Sequence, residues 1–311
     1  MKLDLAKEIL NTIFVLRNVS STNNPSFQAK DSFEYHLHKI QSFVDQKAPI
    51  QLVLPAFPAK SSNPEKTLGT FPDYGEVLAL KRLQQLCSDI KKIYAPGAHL
   101  IICSDGRVFS DLVQVSDDAV NTYTSGVEEI IDQYKFKDLS TYNLEDAFQN
   151  MPSFDDMRKI LATNYAEPLE VVRQKVLSDF DFENLFNGIH RFLFEDLLVL
   201  KPDLSKNQVR KLSKDLAYKT IQRSNAWSNF IEQKFPQAVR LSIHPQPLHS
   251  QKIGVQLLPS NNFWRTPWHS ALIFDGKVYS LVRRKDAEDM KATLQVANGK
   301  YPYFVISEGV A

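Results

Sequence analysis

Apolar and polar positions alternate in two rhythms along the chain, and the change between them outlines the fold. Leu3, Ile9, Leu10, Ile13, Phe14 and Leu16 cluster at helical spacing and predict a helix over residues 1–17. A polar loop over 18–26 and a second helical stretch over 33–43 follow. After Pro49 the rhythm breaks. "IQLVLPAF" is a short continuous apolar run, the mark of a buried strand. Pro55, Pro58 and Pro64 then forbid any continuation, so an ordered loop begins where the strand ends.

Helical spacing returns over 75–94, where Leu78, Leu83, Leu86, Ile90 and Ile93 form one stripe and Gly97 punctuates its end. "AHLIICSD" is the next strand, and residues 117–134 form a helix capped by Ser116 or Asp117. Residues 140–235 then read as a block of helices, including one long stretch over 168–200 and another over 204–236. After Pro236 five strand-like runs follow: "AVRLSIHPQ", "KIGVQLLP", "WHSALIFDG", "KVYSLVRR" and "YFVIS". Phe274-Asp275-Gly276-Lys277 carries the signal of a hairpin turn between two of them. The expected fold is α/β: a single Rossmann-like mixed sheet flanked by helices, with a helical insertion. It is read as one domain, with an N-terminal α/β part over 1–139, a helical block over 140–235 and C-terminal strands over 236–311.

Composition narrows the function classes. The 311 residues are 43% hydrophobic and 23% charged, enough to bury a core and too apolar for a disordered chain. Lys and Arg (37) nearly cancel Asp and Glu (36), which argues against a general nucleic-acid footprint. Arg283-Arg284-Lys285 is a short basic run expected to decorate a turn or strand end. The two cysteines, Cys87 and Cys103, have no metal-knuckle or redox spacing and read as buried small hydrophobes. The first sixteen residues lack a signal-peptide pattern, and no stretch is long and apolar enough to cross a membrane, so a cytoplasmic protein is expected.

Candidate chemistry sits in the loops at strand ends, where open α/β sheets bind ligands. The sequence offers Lys60 and Asp73 after the first strand, Ser104-Asp105-Gly106-Arg107 after the second, and His244, Lys252, Arg265, Trp268 and His269 among the C-terminal strands. Arginine and lysine together suit a substrate with phosphate or carboxylate groups. Histidine supplies proton transfer near neutral pH. Each feature also has a plain structural reading: Asp-Gly is a common turn pair, and Arg107 faces either the substrate or Asp111. In the helical block Arg191 and Arg223 are further candidates, although Arg191 also has Glu195 and Asp196 within salt-bridge spacing. "HPQPLH" does not have metal-ligand spacing, and no GxGxxG, P-loop or GxSxG is present.

Three long blocks, "LPAFPAKSSNPEKTLGTFPDYGEVLALKRLQQLC", "YAPGAHLIICSDGRVFSDLVQVSDDAV" and "RLSIHPQPLHSQKIGVQLLP…WRTPWHSALIF", together resemble the isocyanide (isonitrile) synthase family, also called the pyoverdine/dityrosine biosynthesis family. They cover roughly residues 50–130 and 238–282. The resemblance implies conversion of the α-amino group of L-tyrosine or L-tryptophan into an isocyanide, with carbon from C2 of ribulose 5-phosphate. It implies no metal or organic cofactor, and an iron- and 2-oxoglutarate-dependent oxygenase as the next enzyme. One branch of the family instead forms N-formyl tyrosine, and a non-catalytic sugar-phosphate or amino-acid binding protein is the alternative outside enzymes. Within this chemistry Lys60, His244, His269 and Asp105 are the expected catalytic groups. Asp73, Ser104, Arg107, Arg191, Arg223, Lys252, Arg265 and Trp268 are the expected substrate contacts, and Phe109 and Trp264 are candidates to face the aromatic ring. Replacing Lys60 or His244 by alanine is expected to abolish product with little change in thermal midpoint.

Overall fold

The computed structural model describes residues 2–20, 32–262 and 264–306; residues 21–26 of the expected polar loop lie outside them. Helices α1 (Lys2–Phe14) and α2 (Phe33–Gln46) lead into β1 (Ile50–Leu54). Then come α3 (Tyr74–Ile93), β2 (Ala98–Cys103), a single turn α4 (Gly106–Phe109), α5 (Asp117–Gln133) and β3 (Leu139–Tyr142). The helical block holds α6 (Leu144–Ala147), α7 (Phe154–Tyr165), α8 (Leu169–Ser178), α9 (Phe180–Leu200) and α10 (Lys206–Lys234). The C-terminal part supplies β4 (Val239–Ser242), β5 (Ile253–Gly254), a 3-10 turn (Pro267–His269), β6 (Ala271–Phe274), β7 (Tyr279–Val282), α11 (Arg284–Asp289), β8 (Thr293–Ala297) and β9 (Tyr301–Val305).

The strands form two sheets, which corrects the expectation of one. The first has five parallel strands in the order β3-β2-β1-β4-β5. The second has four, in the order β7-β6-β9-β8. Sequence alternation cannot say which strands share a sheet; the edge of β5 does. Asn18 N donates to Gly254 O at 2.7 Å, and bridges from Arg17 to Val255 and from Val19 to Gln246 cover that edge. A strand edge already paired cannot accept a further strand. The approach is close enough that a Cβ on Gly254 would lie 2.2 Å from Asn18 O, so this position has to be glycine. The second sheet packs instead on α3, where Tyr74 meets the rings of Tyr279 and Tyr303 at 5.7 and 5.3 Å.

Several local expectations match the structure. The 274–277 turn joins antiparallel β6 and β7, with Asp275 Oδ1 accepting from the backbone N–H of Lys277 and Val278. Ser116 is the cap of α5, accepting from Ala119 N at 3.1 Å. Cys87 and Cys103 are buried, and burial pushes both thiols up to about 12. Arg283 caps α11 directly after β7. Three local features depart from the pattern. The 168–200 stretch is two helices, because Asp179 accepts from the N–H groups of Asp181 and Phe182 and so starts α9 afresh. β3 carries one buried position, and β8 is a nearly fully exposed edge strand; neither presents the apolar face that marks a strand. No helix among the described residues is long and apolar enough to cross a membrane.

In the first sheet the chain runs outward through β1, β2 and β3, then returns to the other side of β1 with β4. Strand order therefore reverses between β1 and β4, where the loops on the two sides diverge and leave a crevice.

Candidate functional site

A cavity of about 250 Å³ opens at that crevice. Its floor is the carboxyl ends of β1, β2 and β4, represented by Ala56, Asp105 and His244. One wall is the face of α9 bearing Gly188, Arg191, Phe192 and Glu195, spaced to lie on one side of a helix. The other wall is Trp264, Arg265, Trp268 and His269, held by the 3-10 turn. Gly188 lies against the Trp264 ring, whose atoms would lie in ordinary contact, 3.5 Å, from an added Cβ.

The loop after β1 is shaped by strain and close approach. Phe57 has φ of 56°, a left-handed conformation that a bulky residue rarely takes. Its carbonyl accepts the Ser104 hydroxyl at 3.0 Å, which ties the ends of β1 and β2 together. Gly106 is glycine for contact, not for a sharp turn: a Cβ there would lie 1.8 Å from Pro58 O. The two loops are thus packed backbone against backbone beneath the cavity.

Asp105, His244, His269, Arg191, Arg265 and Trp268 line this cavity, and Phe109 and Trp264 lie beside them. Asp105 Oδ1 is shielded from solvent without a hydrogen-bond partner among the described residues. Burial raises its carboxyl to about 7. Burial lowers His244 to about 4, helped by the Lys252 ammonium, and its Nδ1 is also without a partner. Burial drives His269 well below the ordinary histidine value, with further lowering by Lys66; its Nδ1 lies 3.4 Å from Thr266 Oγ1. Both imidazoles are therefore neutral at pH 7, with burial opposing their protonation, and held near aromatic rings, His244 at 5.0 Å from Trp264 and His269 at 4.4 Å from Phe192.

The remaining expected contacts lie behind the cavity wall. Lys60 is fully buried, and its Nζ is held by Asp73 Oδ2 (2.7 Å), Glu76 Oε2 (2.9 Å) and the Pro267 carbonyl (3.0 Å). Burial alone would lower this ammonium's pKa, but the two carboxylates raise it, so Lys60 is a charged strut rather than a free amine. Asp73 is the N-cap of α3 in a capping box with Glu76, not a partner of either histidine. Glu76, raised to about 7 by burial, also accepts from Tyr123 at 3.1 Å.

Arg107 donates to Glu145, to the backbone and side chain of Asp117, and to Asn121. It does not pair with Asp111, and it is not among the residues that line the cavity. Asp111 instead holds Arg223 at 2.6 Å, and Arg223 also reaches the Val108 carbonyl, so it braces α10 against α4. Lys252 Nζ donates to Ser228 Oγ at 2.9 Å, beside Arg240 on the same hydroxyl. Burial first, then Arg240, lowers Lys252 to about 8. Ser104 serves the β1–β2 tie described above.

Sequence reading missed Lys66, and it took Glu195 and Asp196 as partners for Arg191 and Arg283 as turn decoration, where all four stand on the cavity wall. Lys66 grips Asp196 at 2.8 Å and Glu195 at 3.1 Å, and Asp196 also receives Ser61 and Asn63. The loop between β1 and α3 was flagged for its prolines, and Lys66 was there to be read. Its pairing with α9, more than a hundred residues on, carries no local signal. Among the described residues no group of three or more His, Cys, Asp or Glu side chains is gathered to hold a metal ion.

Known proteins share this architecture. The chain is 44% identical to the L-tryptophan isonitrile synthase AmbI1 of Fischerella ambigua over 99% of its own length and 97% of that protein's. It is 38% identical to an L-tyrosine isonitrile synthase of Pseudomonas aeruginosa over 87% of this chain and 84% of that one. The crystal structure of the PvcA protein from Pseudomonas aeruginosa superposes with a TM-score of 0.89 at 36% identity, covering 97% of this chain and 99% of the other. The family model described as pyoverdine/dityrosine biosynthesis protein matches residues 40–295. With most of its length matched by that model and with relatives well above a third identical, the chain belongs to the pyoverdine/dityrosine biosynthesis family.

Proposed function

We propose that this protein is an isocyanide synthase that converts the α-amino group of L-tryptophan or L-tyrosine to an isocyanide, with ribulose 5-phosphate as carbon donor. The observation that carries the reading is the cavity: two neutral imidazoles and an unpartnered carboxyl beside aromatic rings and guanidinium groups. The amine has to add to the C2 ketone and lose water to give an imine. The two carbon–carbon bonds flanking C2 then break. Each step moves protons and develops negative charge, which is work for groups that titrate and for cations.

Asp105 is the proposed acid. Carrying a proton near neutral pH, it can protonate the departing hydroxyl of the adduct. His244 and His269, unprotonated, are the proposed bases for the amine and for sugar hydroxyls. Trp264, Trp268, Phe109 and Phe192 form the proposed seat for the aromatic side chain. Lys60 acts at one remove, by fixing the Pro267 carbonyl and with it the turn that carries Trp268 and His269. The cavity draws on 1–139, 140–235 and 236–311 alike, which supports reading them as one catalytic unit. The order of the five-stranded sheet supports the Rossmann-like description. The next step, by an iron- and 2-oxoglutarate-dependent oxygenase, belongs to the same proposal.

The test is direct. The protein is incubated with ribulose 5-phosphate and each aromatic amino acid, and the product is read by mass and by isocyanide infrared absorption. An N-formyl amino acid would place the chain with the formylating branch, and binding of both substrates without turnover would make it a non-catalytic binding protein.

A further inference from the structure

Of two arginines on the cavity wall, Arg191 lacks a counter-ion and Arg265 keeps only a long ion pair. Arg191 precedes Glu195 by one turn of α9, the spacing at which helices pair opposite charges. Lys66 has taken both acids instead, Glu195 Oε2 at 3.1 Å and Asp196 Oδ1 at 2.8 Å. Arg191 is left with no ion pair or hydrogen bond among the described residues. Arg265 has Asp286 as its natural partner, but Arg283 occupies both Asp286 oxygens, with Nε at 3.1 and 3.0 Å and Nη2 at 2.7 Å. Arg265 Nη2 stands 3.6 Å from Asp286, beyond hydrogen-bond reach, and Nη1 makes one long contact of 3.3 Å to Leu281 O. Most of its donors are unengaged although the side chain is half-buried.

Both cations face one cavity, and in both cases a neighbouring cation has taken the acid's hydrogen bonds, leaving Arg265 a long ion pair and Arg191 none. Arg265 is half-buried and Arg191 exposed on the cavity wall, and guanidinium donors left without a carboxylate are open to an anion that enters between them. We propose that Arg191 and Arg265 form an oxyanion subsite for a phosphate monoester. Two guanidinium forks offer four or more N–H donors, which suits a group with three terminal oxygens and nearly two charges; a carboxylate, with two oxygens and one charge, fills a single fork. Naming the ligand as the sugar phosphate rests on the isocyanide synthase reading; the subsite does not. Lys66 and Arg283 are positioning residues here, because they divert the acids.

Inorganic phosphate is the probe, with binding measured by calorimetry or phosphorus NMR at low salt. The wild type binds phosphate. Arg191→Met and Arg265→Met each weaken binding by about tenfold or more, and the double variant abolishes it. Arg283→Gln releases Asp286 to Arg265 and weakens binding too, while Lys285→Met, on the outer surface, leaves it unchanged. Circular dichroism reports folding. If the methionine variants do not fold, Arg191→Lys and Arg265→Lys, which keep charge and lose the fork, must still weaken binding. A folded wild type that binds no phosphate at ~10 mM overturns the subsite. So does a double variant that binds phosphate as the wild type does, including one that loses affinity for the amino acid instead. Phosphate binding of the expected pattern in a protein that forms no isocyanide would refute the proposed reaction and leave the subsite standing.

Discussion

Two clusters of charge meet at the end of β2, on opposite sides of the Ser104–Arg107 corner. Behind the corner Arg107, Arg158 and Arg223 are matched by Asp111, Asp117 and Glu145. Asp117 alone receives Arg107, Arg158 and Ser110, and Asp111 receives Arg223. In front of it Asp105, His244, Arg191 and Arg265 face a cavity with partners missing or out of reach. The residue types are the same and the accounting of hydrogen bonds is opposite. A cluster in which every charge has a counter-charge fixes the helices around it: Arg107 and Arg158 tie α4 to α5, α6 and α7, and Arg223 adds α10. An incompletely paired cluster is poised for something that is not protein.

Predictions that probe this contrast begin with the paired side. Lys60→Met leaves Asp73 and Glu76 buried against each other without the ammonium, so chemical denaturation should show a loss of about 3–5 kcal/mol. This reverses the sequence-based expectation of an unchanged thermal midpoint. Arg107→Met should cost less, about 1–3 kcal/mol, because Asp117 keeps Arg158 and both carboxylates it leaves are partly exposed, and the folded fraction should bind phosphate normally.

Asp105→Asn should move the other way. Its activity falls by about 10²–10⁴, the usual worth of a general acid, while its stability above neutrality rises. The sign follows from the protons bound. The native carboxyl holds its proton to about 7, whereas the unfolded one releases it near the ordinary aspartate value of 3.8. Wild-type stability from this group is therefore lost as pH rises across that window, and the asparagine variant lacks the slope. His244 has the opposite sign, since its native value of about 4 lies below the ordinary histidine value of 6.5 and stability is lost as pH falls between them. Urea midpoints at pH 5 and pH 8 check both.

Gly106→Ala should destabilise by about 1–3 kcal/mol or more, since its Cβ has nowhere to go but into Pro58 O. Arg191→Met should be the mildest, within about 0.5 kcal/mol of wild-type stability, with its effect confined to anion affinity.

Much of the scaffold was legible. Stripes such as Leu83, Leu86 and Ile90 identify α3 because a buried helical face needs that spacing, and proline after Leu54 stops β1 where the site begins. The strands lost to sequence reading, β3 and β8, are those with little buried surface. The split into two sheets depends on a distant segment, 17–19, covering β5. The site was legible as a set of loops and only partly as a set of residues. Composition can say that Lys60, Arg107 and Arg265 sit near strand ends. Whether each already has a partner depends on Glu76, Glu145 and Arg283, which are set by tertiary packing. Asp105 could be picked from its turn, but its value as an acid comes from its burial at the cavity floor.

The most direct test follows the carbon. Ribulose 5-phosphate labelled with carbon-13 at C2 is incubated with L-tryptophan or L-tyrosine, using the wild type and Asp105→Asn. The account predicts an amino-acid isocyanide with the label in its terminal carbon from the wild type and almost none from the folded variant. A wild type that yields no labelled isocyanide with either amino acid, or a variant as active as the wild type, would contradict it.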